Sequence, residues 1–258
     1  MRTRRDTRKS LGDLASSALG LSRARDSPRN SENKPRPSLG REAATLKSPR
    51  TRDRTMKLLE ATDENIRKTA AIVRLGGLVV YPTETVYGLG CAPHILEAAE
   101  KLCKLKGRSD KSLPLICHST EFASKIVELN PAAERLAERF WPGPLTLVLP
   151  TKQEYSRWVT HGALTLAVRV PGHPVSRELA RRSGGVIVST SANKAGEPPA
   201  TTAQEAADAL GDGVNIILDD GPSPGEKPST ILDISGEQAW ILRAGPVSAE
   251  QIKDALSL

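Results

Sequence analysis

The chain has 258 residues, of which only 3% are aromatic, and its charge is unevenly distributed. Residues 1–55 hold 15 of the 37 Lys and Arg but only 6 of the 30 Asp and Glu, which leaves 22 basic and 24 acidic side chains in the remaining 203 residues. No apolar run approaches the ~20 residues that span a bilayer, and no apolar stretch follows a charged start, so we expect a soluble, cytoplasmic protein.

The basic N-terminal segment, residues 1–55, lacks Phe, Trp and Tyr and is rich in Arg, Ser and Pro. It cannot bury enough apolar surface to offset chain entropy, so we predict that it is disordered. Two functional interpretations are a transit peptide and an arm that binds RNA weakly. Two others are a solvated tail and a start codon assigned too far upstream, with Met56 as the working start. The six acidic residues favour the last two.

The first predicted element after this segment is a helix in "TDENIRKTAAIVRLGG". Thr62 or Asp63 can cap its start, apolar residues from Ile66 to Val73 share one face, and Gly76 ends it. Further along, β-rich runs predict strands at "LVVY", "LPLIC", "LTLVL", "LTLAVRV", "GVIVS", "NIILD", "STILDI" and "AWILR", and helical patterns cover residues 95–107, 121–128, 131–140, 174–182, 202–209 and 247–256.

Strands and helices therefore alternate along the chain, and several strands are apolar on both faces. This pattern is typical of a sheet covered by helices. We predict an α/β fold in which residues 56–258 form a single domain with a twisted mixed β-sheet. In such folds the loops beyond the strand ends carry ligands.

Basic residues lie at several of these strand or helix ends. The segment where a helix gives way to a strand contains Lys104, Lys106, Arg108 and Lys111, and Arg169 and Arg243 each end an apolar strand. Guanidinium and ammonium groups brought together in this way would bind a phosphate chain or a carboxylate. The alternative is a solvated helix end, with strand-end Arg residues paired to nearby carboxylates.

Small hydroxyl residues follow two of the predicted strands. Thr83 and Thr85 lie in "VVYPTETVYGLG", and Ser189, Ser191 and Asn193 lie in "VSTSANKAGEPP". Their side chains and adjacent backbone N–H groups can donate to phosphate oxygens, although they also suit helix caps and turns. In the first loop, Gly88 and Gly90 are expected to let the backbone approach a ligand closely.

Standard catalytic and metal-binding patterns are missing from the sequence. It contains no GxGxxG after a strand, no phosphate loop of the GxxxxGK[ST] type, no nucleophile elbow and no HExxH. Cys91, Cys103 and Cys117 have no metal-ligand spacing and are expected to be reduced structural thiols. Among the four His, His118 is the best candidate for a site residue because it ends "LPLIC".

Seven short motifs follow one another between residues 60 and 255: "PTETVYGLG", "KGR", "WPGPLTLVL", "AVRVPGHP", "TSANKAGEPP", "STILDI" and "LRAGP". In this order they closely resemble the YrdC family, the L-threonylcarbamoyladenylate synthases. The family's K-x-R signature is matched by Lys106 and Arg108, and its S-x-N signature by Ser191 and Asn193. Each motif alone is weakly specific, but seven in order are a strong signal. The resemblance is to the single-domain form of the family.

The resemblance implies a nucleotidyltransferase that joins L-threonine, bicarbonate and ATP into threonylcarbamoyl-AMP and releases pyrophosphate. A downstream transferase machinery would then pass the threonylcarbamoyl group to an adenosine of tRNA. Mg²⁺ is expected to arrive on the phosphates of ATP, without a metal site in the protein.

The resemblance also assigns roles to individual residues. It makes Lys106 and Arg108 the catalytic pair nearest the phosphates, and it leaves Leu113 as the alternative to Ser112 at one nucleotide position. The implied ATP contacts are Lys106, Arg108, Ser112, Thr165, Ser191, Asn193 and Arg243, and the implied threonine contacts are Thr83, Thr85, His118, Arg169, Ser189 and Ser229.

Two other functions fit parts of the sequence. An RNA-binding module of the same fold would explain the basic tail, but the net charge of residues 56–258 is negative and few aromatic residues are available for base stacking. A carbamoyltransferase like the related domain of hydrogenase maturation proteins would need zinc-finger-like and acylphosphatase segments, which this chain lacks.

Overall fold

The structure is a computed structural model that describes residues 55–107, 112–225 and 227–257. Nearly all of the predicted tail lies outside these ranges, so its disorder remains a prediction. Arg108, one of the two predicted catalytic residues, also lies outside them. No helix in the described part of the chain is long and apolar enough to cross a membrane.

Eight α-helices lie within the described ranges, and most follow the sequence prediction closely. The first begins after Thr62, whose hydroxyl oxygen accepts from the backbone N–H of Asn65 at 3.3 Å. A four-residue helix near Trp158 was missed because so short a segment has no periodicity to read. The helices are α1 (Asp63–Arg74), α2 (Leu96–Lys106), α3 (Thr120–Ile126), α4 (Pro131–Phe140), α5 (Arg157–Thr160), α6 (Pro174–Arg182), α7 (Ala203–Leu210) and α8 (Ala249–Leu256).

The strands confirm the α/β class, but they form two mixed sheets where the sequence suggested one. All eight predicted strands are present, and three short ones were missed. The strands are β1 (Lys57–Glu60), β2 (Val79–Tyr81), β3 (Gly88–Gly90), β4 (Leu115–Cys117), β5 (Leu145–Pro150), β6 (Thr165–Arg169), β7 (Val186–Val188), β8 (Thr190–Ser191), β9 (Ile216–Asp219), β10 (Thr230–Asp233) and β11 (Trp240–Arg243).

The five-stranded sheet has the order β1-β9-β2-β3-β8, and the six-stranded sheet has the order β11-β10-β5-β6-β4-β7. The chain passes from one to the other at Ser189, between β7 and β8. Here Val188 N–H donates to the Cys91 carbonyl at 2.9 Å, and Ser189 N–H donates to the Pro114 carbonyl at 2.8 Å. The continuous segment from β7 to β8 therefore joins the two sheets. Sequence periodicity alone does not show this connection.

Two apolar clusters hold the helices against these sheets. The larger contains the inner faces of β5 and β6 with residues from α2, α4, α7 and α8, and the smaller contains residues from α1, α6, β2 and β9. Cys91, Cys103 and Cys117 are all buried. Burial raises the pKa of Cys91 and of Cys117 to about 12, so both remain protonated.

Gly90 is required by packing within the fold. A Cβ atom at this position would lie 2.4 Å from the Val188 carbonyl oxygen and 2.9 Å from the ring of Tyr81, and one at Gly88 would also lie 2.9 Å from that ring. We expected Gly90 to let the backbone approach a ligand. Its backbone instead approaches Tyr81 and β7 closely. Tyr81 is itself fully buried, and its hydroxyl donates to the Val188 carbonyl at 3.3 Å.

Gly90→Ala is therefore expected to lower the free energy of unfolding by about 1–3 kcal/mol, because neither a backbone carbonyl nor a buried ring can move aside freely. Urea unfolding of the full chain measures this change. Gly236→Ala is the matched control, since nothing lies within 4 Å of its added Cβ, and it should change the unfolding free energy by no more than about 0.5 kcal/mol. Equal midpoints for the two variants would contradict this account of Gly90.

Candidate active site

A cavity of about 540 Å³ lies against one face of the six-stranded sheet. Alternation along the strands determines which residues form the floor of the cavity, because successive side chains of a strand point to opposite faces of the sheet. On β5, Leu145, Leu147 and Leu149 enter the core, whereas Thr146 and Val148 line the cavity. The same alternation brings Thr165, Ala167 and Arg169 of β6 and Ile231 and Asp233 of β10 to the cavity.

Nine of the predicted site residues line this cavity together. They come from strands and loops that are far apart in the sequence, so the fold brings together residues that the motifs only suggested. These nine residues are Thr83, Thr85, Ser112, Thr165, Arg169, Ser189, Ser191, Ser229 and Arg243.

The loop between β2 and β3 is held by its own hydroxyl groups. Thr83 Oγ1 lies 2.9 Å from Thr85 Oγ1, accepts from the Thr85 N–H at 3.1 Å and donates to the Val86 carbonyl at 2.7 Å. Both threonines are almost fully buried. The loop therefore presents a preorganised pair of hydroxyl groups at the cavity wall.

Arg169 forms an ion pair that the sequence did not predict in detail. Its Nη1 donates to Glu84 Oε1 at 2.6 Å, and only 6% of Arg169 is exposed. The other carboxylate oxygen of Glu84 accepts from the His173 N–H at 3.4 Å. Glu84 thus links the β2–β3 loop, the end of β6 and the start of α6, and it fixes the guanidinium at one end of the cavity.

Arg243 lies at the other end of the cavity, in a network centred on Ser229. Its Nε donates to the Ser229 carbonyl at 2.9 Å and its Nη2 to Ser229 Oγ at 3.1 Å. Ser229 Oγ lies 2.8 Å from Thr146 Oγ1, and its own proton is available for that hydrogen bond. Arg243 pairs in register with Ile231, which pairs with Thr146.

The two arginines therefore occupy opposite ends of one row across the sheet. β5 and β6 are antiparallel, and Leu147 pairs with Val168. At the next position, Thr146 therefore lies opposite Arg169, which extends the row by one strand. Three strand spacings separate Arg169 from Arg243, roughly 14 Å. Two substrates whose anionic groups bind these two arginines would be anchored at opposite ends of the cavity. The other parts of the two substrates would meet above Thr146.

Lys106 and Asn193 do not line the cavity. The Lys106 ammonium is 3% exposed and donates to the Ser191 carbonyl at 2.7 Å, to the Asn193 carbonyl at 2.8 Å and to Asn193 Oδ1 at 3.2 Å. Asn193 Nδ2 donates to the Glu197 carbonyl at 2.6 Å. Within the described residues, Lys106 therefore contacts the cavity-lining residue Ser191 and fixes the backbone of residues 191–193, which we call the β8 loop.

His118 is also placed apart from the cavity-lining residues. Its ring packs against Phe122, with 5.2 Å between the ring centroids, and its backbone N–H donates to the Gly185 carbonyl at 3.1 Å. Partial burial and then the nearby Arg181 lower its pKa. Ser112 lines the cavity, whereas the alternative residue Leu113 is buried in the core.

Several cavity residues were missed from the sequence. Thr146 and Asp233 stand at polar positions between the apolar residues of β5 and β10, and that alternation was the available signal. Tyr87 also lines the cavity, and its hydroxyl donates to the Gly221 carbonyl at 2.6 Å. Burial raises the pKa of Tyr87 to about 12, so it stays a donor.

The described residues form an α/β fold with a cavity that has a guanidinium group at each end. A model of the Sua5/YciO/YrdC family, described as "Telomere recombination", matches residues 71–245. The chain belongs to this family.

Individual relatives agree with this assignment. The threonylcarbamoyl-AMP synthase of Bacillus subtilis is 39% identical over 199 residues, which are 76% of this chain and 57% of that protein. The threonylcarbamoyl-AMP synthase of Halorhodospira halophila is 38% identical over 170 residues, which are 65% of this chain and 89% of that protein. The crystal structure of Pyrococcus abyssi Sua5 complexed with L-threonine matches with a TM-score of 0.74 and 35% identity, over 78% of this chain and 60% of that one.

The chain thus spans less than two thirds of the B. subtilis and P. abyssi relatives and most of the H. halophila one. The similarity includes the whole cavity, since residues 71–245 contain every residue that lines it.

Proposed function

We propose that the chain is an L-threonylcarbamoyladenylate synthase, a nucleotidyltransferase that forms threonylcarbamoyl-AMP and pyrophosphate from L-threonine, bicarbonate and ATP. The observation that carries the proposal is the cavity with Arg169 and Arg243 at opposite ends of one cross-strand row, in a chain whose relatives are named threonylcarbamoyl-AMP synthases. The names of these relatives favour the synthase over an RNA-binding module.

In the proposed reaction, the neutral amine of L-threonine condenses with bicarbonate: a C–N bond forms, a C–O bond of bicarbonate breaks, and one water leaves to give a carbamate. A carbamate oxygen then attacks the α-phosphorus of ATP, the new P–O bond forms, and the bond to the leaving pyrophosphate breaks. The protein's contribution is to position two anions and to stabilise the charge that develops between them.

Arg169 would hold the threonine carboxylate, with the hydroxyl groups of Thr83 and Thr85 beside it. The buried guanidinium at that end of the cavity supports this assignment. The structure of P. abyssi Sua5 complexed with L-threonine supports the choice of ligand. Ser189 and Ser229 line the same cavity, whereas His118 does not.

ATP would take the remaining space, with Thr165, Ser191 and Arg243 on the cavity wall. Lys106 would act mainly by holding the carbonyls of Ser191 and Asn193, so that the hydroxyl and N–H groups of this loop face the phosphates. Ser112 would add a hydroxyl on the cavity wall, and Arg108, which lies outside the described residues, would add a guanidinium for the phosphates.

Mg²⁺ would enter with the phosphates of ATP. Within the described residues, no group of three or more His, Cys, Asp or Glu is placed to hold a metal ion. When bound, the ion would neutralise phosphate charge. The protein's own residues orient the two substrates around it.

Pyrophosphate release from ATP by the full chain tests the proposal. We expect release that depends on both L-threonine and bicarbonate and that falls strongly when L-serine replaces L-threonine. Release that is independent of the amino acid would instead indicate simple ATP hydrolysis and would reject the proposal. The subsequent transfer to tRNA by other proteins is part of the proposed role and is not needed for this assay.

A further inference from the structure

The last strand of the six-stranded sheet leaves large apolar side chains in solvent. β11 forms one edge of that sheet and is exposed along its whole length. Trp240 is 62% exposed and Leu242 is 60% exposed. Neighbouring apolar side chains of this kind mark binding surfaces.

Register shows on which side of the sheet Trp240 lies. Trp240 pairs directly with Asp233 of β10, and directly opposed residues share a face of the sheet. Asp233 and Ile231 line the cavity, whereas Leu232 between them is buried in the core. Trp240 therefore lies on the cavity side, immediately beyond the cavity's β11 end.

Leu242 makes this surface continuous with the cavity. The pairing of β10 with β11 shifts between Ile231 and Leu232, which leaves Leu242 as an extra residue on β11. Leu242 lines the cavity itself. The exposed strand is thus an extension of the cavity floor.

Asp233 gives this end of the cavity a hydrogen-bond acceptor. The Ser235 N–H at 3.0 Å and the Ser235 hydroxyl at 2.7 Å both donate to Oδ1. Among the described residues, Oδ2 of Asp233 accepts no hydrogen bond. A carboxylate beside an apolar surface would repel phosphate or carboxylate groups, but it suits a ligand that carries hydroxyl donors next to a flat, weakly polar ring.

We propose that Trp240 and Asp233 bind the nucleoside part of ATP: the base packs on the exposed indole, and the ribose hydroxyls donate to Asp233. Opposed side chains of neighbouring strands lie about 5 Å apart, which fits a base and its attached sugar. The proposal rests on the proposed function for its ligand, ATP. It adds Trp240 and Asp233 as the residues that recognise the nucleoside at the β11 end of the cavity.

Steady-state pyrophosphate release by the full-length Trp240→Ala variant tests the role of the indole. We expect the KM for ATP to rise roughly tenfold, as for loss of one base-stacking contact, while kcat and the KM for L-threonine stay unchanged. Ile241→Ala is the matched control, because Ile241 pairs with the core residue Leu232 and so lies on the opposite face. Its KM for ATP should not change.

The role of Asp233 has a separate test. Wild-type protein should use 2′,3′-dideoxy-ATP with a higher KM than ATP, and Asp233→Asn should reduce the difference between the two nucleotides. A thermal melt shows whether either variant remains folded. An unchanged preference in folded Asp233→Asn would remove the carboxylate from the nucleoside surface.

Quenching of tryptophan fluorescence by ATP reports binding without turnover. We expect ATP to quench the wild type and to lose most of this effect in Trp240→Ala. Equal KM values and equal quenching in the variant would overturn the proposal, as would a change in oligomeric state showing that β11 is a subunit interface. If wild type releases no pyrophosphate but is quenched through Trp240, the synthase is rejected and the nucleoside surface remains.

Discussion

Replacing Arg169 with Ala is expected to raise the KM for L-threonine by about a hundredfold or more. The guanidinium is buried and 2.6 Å from Glu84, and removing one partner of such a pair costs about 2–5 kcal/mol. In the proposed role the same group also binds the substrate carboxylate, so its loss acts on threonine binding first. The KM for L-threonine, measured at saturating ATP in the pyrophosphate assay, gives the result.

Two further variants separate binding from stability. Glu84→Gln keeps the shape of the side chain and one acceptor oxygen, so we expect Arg169 to stay in place and the KM for L-threonine to rise only a few-fold. Arg67→Ala removes an exposed Arg of α1 and should leave the KM unchanged. A folded Arg169→Ala protein with a normal KM for L-threonine would exclude Arg169 from the substrate site.

Replacing Lys106 with Met is expected to lower kcat/KM for ATP by at least about a hundredfold and to destabilise the fold. The Asn193 carbonyl would lose its ammonium donor, and the Ser191 carbonyl would keep only the Asn193 N–H at 3.0 Å. A buried acceptor left unpaired costs about 1–3 kcal/mol. The β8 loop would then no longer hold Ser191 in one position at the cavity. Urea unfolding and ATP kinetics measure the two effects together.

The control for this variant lies two residues earlier on the same helix. Lys104→Met removes an ammonium that is 72% exposed and pairs with Glu100 on the surface. We expect little change in stability or rate, since exposed pairs contribute about 0–1 kcal/mol. If Lys106→Met retained full activity, the β8 loop would not need its ammonium, and the proposed role of this contact would be wrong.

The sequence was a good guide to local structure. The apolar run around Val80 and the helix after Thr62 were predicted correctly because their signals are local: a β-rich run between turn residues, and a cap followed by a periodic apolar face. The division into two sheets was not predicted. It depends on pairings such as β2 with β9, which are far apart in the chain and leave no mark on either segment.

The site was predicted in part for the same reason. Strand-end residues such as Arg169 and Ser191 were recognised by type and motif, and the fold places them on one cavity. The partners that fix them were not recognised. Glu84 stands between Thr83 and Thr85 in the sequence, but nothing in that spacing indicates its contact with Arg169. The contact of Lys106 with the β8 loop likewise joins residues 85 positions apart. Such contacts depend on tertiary structure and cannot be read from residue spacing.

The most direct test of the central proposal is the identity of the product. The full chain is incubated with ATP, L-threonine and ¹³C-labelled bicarbonate, and the mixture is separated and analysed by mass spectrometry. The account predicts an AMP adduct that contains one threonine and the ¹³C-labelled carbon. AMP or ADP formed without any adduct carrying the label and threonine would contradict it.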